Sequence, residues 1–308
     1  MEDFQRPRVT DAPRAVRNAV VRLLGEPLAD EQPADSGFTP SIASLVTGAG
    51  GKRLFIKATR DEAGVVLAGV TGSLGPRLVG SASADGWWVA AYEVVEGDPV
   101  TRWAAADLPE LVTVLRRTRE LLDPSPVTGT TPYAEAFVPR LGTWAALNRE
   151  PGARQCVEHV RDIALPVDLP IGLLADLESR WLPALSGGRA RHDAALHHGD
   201  LRRDNFLRRP DGRLVIVDWT HLWTAPGWMD VVRLAPDVAA CGHDPEQLLL
   251  SCWPDAPPDA VNVALAGLAG RAWREWHLPG PRRLRDMQRE QGLQTLRWLA
   301  TRLGHVRV

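Results

Sequence analysis

Lysine is almost missing from this chain of 308 residues: Lys52 and Lys57 are the only two, and arginine supplies the remaining positive charge. Cysteine is equally scarce. Cys156, Cys241 and Cys252 stand far apart with no CxxC spacing, which excludes a disulfide framework and a cysteine zinc site. They read as small core residues in a reducing cytoplasm. No apolar run reaches the length of a membrane span, and the opening stretch MEDFQRPRVTDAPRAV lacks the apolar core of a signal peptide. A cytoplasmic protein with no membrane partner is expected. The formal net charge of −2 supplies no basic field, so nucleic acid is excluded as a partner. Neither a Walker-type GKS sequence nor a GxSxG nucleophile elbow occurs, which argues against a P-loop and an α/β-hydrolase.

The chain length suits two lobes around a cleft. Residues 11–25, DAPRAVRNAVVRLLG, set Ala15, Val16, Ala19, Val20, Leu23 and Leu24 at helical spacing and stop at a glycine. Short apolar runs then alternate with turns: SIASLV, GAGG, RLFIKA, a helical stretch near 60–70, then PRLVGSA and WWVAAYEVV around ADG. From Trp103 the helical period dominates, in DLPELVTVLRRTRELL, PIGLLADLESRWLPAL and the stretches 228–252 and 258–303. Only AALHH and RLVIVDW interrupt it as strands. The expected architecture is α+β and bilobal: residues 1–97 form a small mixed β-sheet lobe with a leading helix, and residues 98–308 form a mainly helical lobe. The boundary falls where VEGDP breaks a strand.

The strongest pattern is ALHHGDLRRDNFLRRPDGRLVIVDWT, which sets His198, Asp200 and Asn205 as HxDxxxxN. A hairpin with a PDG turn and an apolar strand ending at Asp218 follow. Phosphoryl transfer needs a carboxylate to take or orient the acceptor hydroxyl, and hard oxygen ligands for a divalent cation at the phosphates. Asp200 suits the first task. Asn205 and Asp218 suit the second, because the hairpin returns the chain and brings both to one end. A polar loop and a strand-capping aspartate are the structural alternatives.

This pattern resembles that of the aminoglycoside phosphotransferase and choline kinase-like group, which shares the protein-kinase fold. The resemblance implies ATP and Mg2+ as cofactors, Asp200 as catalytic base, His198 as a structural holder of the loop, and Asn205 and Asp218 as metal ligands. It extends to TAPGWMDVVRL, where Asp230 at a helix start would support the loop; an N-terminal cap is the equal reading. In LFIKA, Lys57 lies inside an apolar strand where an unpaired ammonium is costly. The resemblance makes its partners the ATP phosphates and a helix glutamate, for which Glu62 is available. DSGFTPSIASLV resembles the turn over the phosphates, with Ser36, Gly37, Phe38, Thr39 and Ser41 offering amides and hydroxyls. AAYEVVEG resembles the strand into the hinge, where backbone groups from Glu93 to Val95 would meet adenine.

His197 beside His198 does not read as a metal pair, because neighbours at a strand end point to opposite sides. The twelve tryptophans read as core or cleft wall. The resemblance implies that the acceptor is a small molecule with a hydroxyl, an antibiotic among the options. A run of acidic residues, Asp230, Asp237, Asp244, Glu246, Asp255 and Asp259, offers a wall for a polyamine sugar, while the arginines after residue 270 oppose it; solvated helix faces explain both. Rival readings are a metabolic kinase for choline, homoserine or a sugar, and a nucleotide-binding pseudoenzyme. Monomer and homodimer both fit.

Overall fold

The computed structural model describes residues 6–34, 41–149, 169–186 and 194–304. Two compact units emerge, residues 1–101 with 204–222, and residues 102–203 with 223–308.

The first unit opens with helix α1 (Arg14–Leu24), which buries Val16, Ala19, Val20 and Leu24 along one stripe. Gly25 ends it at φ 80, a left-handed conformation that costs glycine nothing, and its N–H closes on the Val21 carbonyl at 2.9 Å. Strands β1 (Leu28–Pro33), β2 (Ile42–Gly48) and β3 (Arg53–Thr59) follow, then α2 (Ala63–Thr71), β4 (Leu78–Ala84) and β5 (Trp87–Tyr92). The sheet runs β1-β2-β3-β5-β4. Expected to be mixed, it is antiparallel in every pairing, because β3 pairs with β5 and leaves β4 at the edge. Leu54, Ile56 and Ala58 of β3 face the α1 stripe together with Val46, Val89 and Ala91. Each Leu, Ile or Val side chain so buried contributes about 1.5–3 kcal/mol. The period of two therefore turns Phe55, Lys57 and Thr59 to the opposite face. A short strand β6 (Asp98–Pro99) ends the stretch.

The second unit begins with α3 (Leu108–Leu122), β7 (Thr131–Pro132), α4 (Tyr133–Phe137) and α5 (Thr143–Arg149). It continues with α6 (Ile171–Ser179), α7 (Trp181–Ser186) and β8 (Ala195–His197). The chain then returns to the first unit for β9 (Phe206–Arg208) and β10 (Leu214–Ile216), which form a sheet with β6 in the order β10-β9-β6. The remainder belongs to the second unit: β11 (Trp223–Ala225), α8 (Met229–Ala239), α9 (Pro245–Cys252), α10 (Pro258–Trp276) and α11 (Arg282–Arg302). Strand β11 sits between β7 and β8. Helix α10 is the core of this unit. It buries Val261 and Val263 through Gly270, and a Cβ at Gly267 would lie 2.5 Å from the Trp181 ring. Trp144 closes on the same helix and donates Nε1 to the Ala266 carbonyl at 2.8 Å. Among the described residues no helix is long and apolar enough to cross a membrane.

Candidate active site

Lys57, Asn205 and Asp218 belong to the first unit. Lys57 is flanked across the sheet by Ala43 and Ala90, two side chains too short to crowd its ammonium. Its side chain is mostly covered, at 13 % exposure, and its Nζ is paired with the Asp218 carboxylate. The β9–β10 hairpin brings Asp218 into place. Ile216 pairs with Phe206, and one step further the Val217 N–H donates to the Asn205 carbonyl at 2.9 Å. Asn205 is therefore buried beside the strand position that precedes Asp218. Asp218 itself adopts φ 67, in the left-handed region that costs a non-glycine residue about 1–3 kcal/mol. Trp219 braces this turn: it is buried and donates Nε1 to the Ile216 carbonyl at 3.3 Å. Tyr92 donates its hydroxyl to the Gly64 carbonyl at 3.0 Å, and burial, then the charge of Asp218, pushes its pKa up to about 12.

These residues fit a divalent cation held at a polyphosphate. Magnesium typically takes one or two carboxylates and leaves its other positions to water and phosphate oxygens. Asp218 offers a carboxylate that is 43 % exposed, and Asn205 an amide oxygen. Among the described residues there is no group of three or more His, Cys, Asp or Glu that would make an all-protein cage.

Glu62 stands apart from Lys57. It is exposed at the N-cap of α2, and the helix AGVVLAGVT carries no acidic residue to substitute for it. Asp218 is the carboxylate that meets Lys57 instead. Glu93 accepts from the backbone N–H and Nε of Arg77 at 3.3 and 3.2 Å, and its own N–H donates to the Arg77 carbonyl at 3.0 Å. Val95 is half-buried two residues later, in a stretch without regular structure. Ser36, Gly37, Phe38 and Thr39 lie outside the described residues, while Ser41 is buried at the edge of β2.

His198 and Asp200 belong to the second unit, on a loop that three side chains of α8 hold. Asp230, Arg233 and Asp237 recur at helical spacing on a helix otherwise buried through Met229, Val231, Val232, Leu234 and Val238. Asp230 accepts from the His198 N–H at 2.8 Å and the Gly199 N–H at 3.1 Å, and pairs with His197 Nδ1 at 2.8 Å. The N-cap position of α8 is Trp228, so Asp230 serves the loop and not its own helix. Burial works to raise the Asp230 carboxyl, but His197 and His198 outweigh it and hold the pKa at about 2. Arg233 donates to Asp200 Oδ1 at 2.6 Å and to the Tyr133 hydroxyl at 3.3 Å. Asp237 accepts from the Arg203 N–H at 2.7 Å and pairs with its Nε at 3.1 Å.

Gly199 is dictated twice. Its φ is 79, and a Cβ there would lie 2.5 Å from the Trp223 ring. The Asp200 N–H then turns toward His198 Nδ1 at 3.3 Å. Asp200 Oδ2 accepts from Arg202 at 2.8 Å. Burial raises the Asp200 carboxyl, yet Arg202, Arg233 and Arg271 together bring its pKa down to about 2. It is an ionised acceptor at any ordinary pH.

The acidic wall dissolves in the structure. Besides Asp230 and Asp237, Asp244 caps α9 by accepting from the N–H groups of Glu246 and Gln247. Glu246 is taken by Arg302 and Trp298, Asp255 pairs with Arg119 at 3.7 Å and Asp259 with Arg180 at 3.5 Å. Sequence reasoning missed Arg233, Arg202 and Asp237. For Arg233 and Asp237 the signal was present, since charged residues at helical spacing on an otherwise apolar helix must be paired.

No family model matches the chain, and no curated protein matches it by sequence. Solved structures do. The chain shares its α+β fold with solved small-molecule phosphotransferases. An aminoglycoside phosphotransferase from Alicyclobacillus acidocaldarius superposes with a TM-score of 0.63 at 15% identity, covering 95% of this chain and 96% of that one. Choline kinase LicA from Streptococcus pneumoniae gives 0.56 at 14% identity, with 93% and 98% covered. A spectinomycin phosphotransferase in complex with ADP and spectinomycin gives 0.57 at 14% identity, with 92% and 96% covered.

Proposed function

We propose that this protein is an ATP- and Mg2+-dependent phosphotransferase that moves the γ-phosphoryl group to a hydroxyl of a small molecule, antibiotic or metabolite. The observation that carries this reading is Asp218, strained to φ 67 and paired with Lys57 at the end of the hairpin that starts at Asn205. Backbone strain of this kind persists where the surroundings impose it, and it concentrates at functional sites. The fold, and the ADP held by the spectinomycin phosphotransferase, point the same way.

In this mechanism Asn205 and Asp218 would hold the cation, and Lys57 would move from Asp218 toward the phosphate oxygens. The cation would supply charge neutralisation where negative charge gathers in the transition state. Asp200 orients the acceptor hydroxyl and receives its proton late. A weak base suffices, because the loose transition state of phosphoryl transfer makes little demand for a strong nucleophile. Arg202 and Arg233 fix the carboxylate, so the hydroxyl meets a pre-set acceptor. Asp200→Asn and Asp218→Ala should each lower acceptor-dependent ADP release by at least about 100-fold while the thermal unfolding of the protein is retained. Undiminished turnover in the folded Asp200 variant would sink the assignment.

A further inference from the structure

The surroundings of Asp200 carry a charge that phosphoryl transfer does not itself require. Arg233 and Arg202 occupy one carboxylate oxygen each. Beyond Arg233 stands Tyr133, fully buried, with Phe137 5.3 Å away between ring centroids. The guanidinium of Arg271 lies over the Phe137 ring at 5.9 Å and pairs with Glu275 at 2.9 Å. Arg140 follows Phe137 by three residues and lies in electrostatic reach of Arg271, Arg233, Tyr133 and Glu275. Its Nη1 donates to the Ala136 carbonyl at 3.5 Å, and it forms no ion pair among the described residues. Among the described residues four guanidinium groups, of Arg140, Arg202, Arg233 and Arg271, thus face three carboxylates, Asp200, Asp230 and Glu275. Tyr133 adds no anion, since burial pushes its pKa up.

Like charges this close repel. Burial, then Arg271, pulls the Arg140 pKa down. Glu275 pairs with Arg271 and accepts from the Gln288 amide at 2.9 Å, so Arg140 feels its charge from a distance without forming an ion pair to it. A guanidinium is a planar fork matched to an oxyanion, and a partly buried one without a carboxylate is poised for one from outside. A cationic acceptor would meet the same field as repulsion.

Resting on the phosphotransferase reading, we infer that the acceptor is an anion: a hydroxylated small molecule whose carboxylate or phosphate group is gripped by Arg140 and Arg271 while its hydroxyl reaches Asp200. Arg140 and Arg271 would hold one end of the molecule and Asp200 the other.

The test reads thermal unfolding of the full chain, with and without ADP and magnesium, against four probes on one sugar skeleton: glucuronate, glucose 6-phosphate, glucose and glucosamine. At ten times its Kd an anionic probe should raise Tm by about 3 °C. Glucose and glucosamine should not. Comparing glucuronate with glucose 6-phosphate separates carboxylate from phosphate. Arg140→Gln and Arg271→Gln should each reduce the anion's shift at least threefold; Arg140→Gln removes a side chain tied only to its own helix turn, so its fold should stand. The inference is overturned if neither anion shifts Tm, if glucose or glucosamine shifts it as far, or if the shift survives in both variants. The response to ADP with magnesium is scored separately: its absence would remove the nucleotide reading, and the probe comparison would still decide the charge preference.

Discussion

Asp200 shows how one residue can be legible in its role and hidden in its chemistry. The HxDxxxxN spacing marked it, because few local patterns place a histidine, an aspartate and an asparagine so close before a hairpin and a second aspartate. Its protonation behaviour comes from Arg202, Arg233 and Arg271, of which only the first is a sequence neighbour. A carboxyl lowered to about 2 loses its charged form only as pH falls through that value. The pH profile of kcat/KM should therefore show no acid limb from Asp200 above about pH 4, and a limb near pH 6 that vanishes in Asp200→Asn would refute this setting. Lys57 was legible as a lysine needing an anion. Its partner was not: Asp218 is 161 residues away, whereas the glutamate nearest in sequence sits exposed at a helix start.

At the level of elements, α8 has a divided surface. Its aliphatic residues belong to the core, and its three charged residues tie down three successive parts of one loop. Helical spacing of Asp230, Arg233 and Asp237 was there to be read, but the same residues in a list of acids look like a wall for a cation. Asp237→Ala would strand the Arg203 guanidinium, and the loss should destabilise the protein by about 3 kcal/mol in urea unfolding; a loss under about 1 kcal/mol would show that Glu290 alone holds Arg203. The main helices and strands were legible because hydrophobic period and turn residues agree in them. Strand β1, LADEQP, was not. It is an edge strand rich in residues that strands disfavour, and its pairing with β2 comes from the backbone ladder.

At the scale of the whole chain, sequence order and compactness diverge. The α+β class was legible because strand patterns precede helical ones. The expected boundary at residue 97 follows the order of those patterns, while compactness gathers residues 204–222 with the first hundred. That grouping depends on β6 pairing with β9, a contact no local pattern announces. If Lys57, Asn205 and Asp218 serve one nucleotide, hydrogen exchange on adding ADP with magnesium should slow together in 53–59 and 204–222; protection confined to one stretch would break the joint assignment. The return of the chain also bears on synthesis. The first sheet can form once residue 101 has emerged, but the hairpin that completes its unit is about a hundred residues behind, roughly 5–20 s at typical elongation rates. During that interval Lys57 has no Asp218 to meet. The protein acquires its proposed nucleotide site as a later event of translation, after residues 102–203 of the second unit have been made.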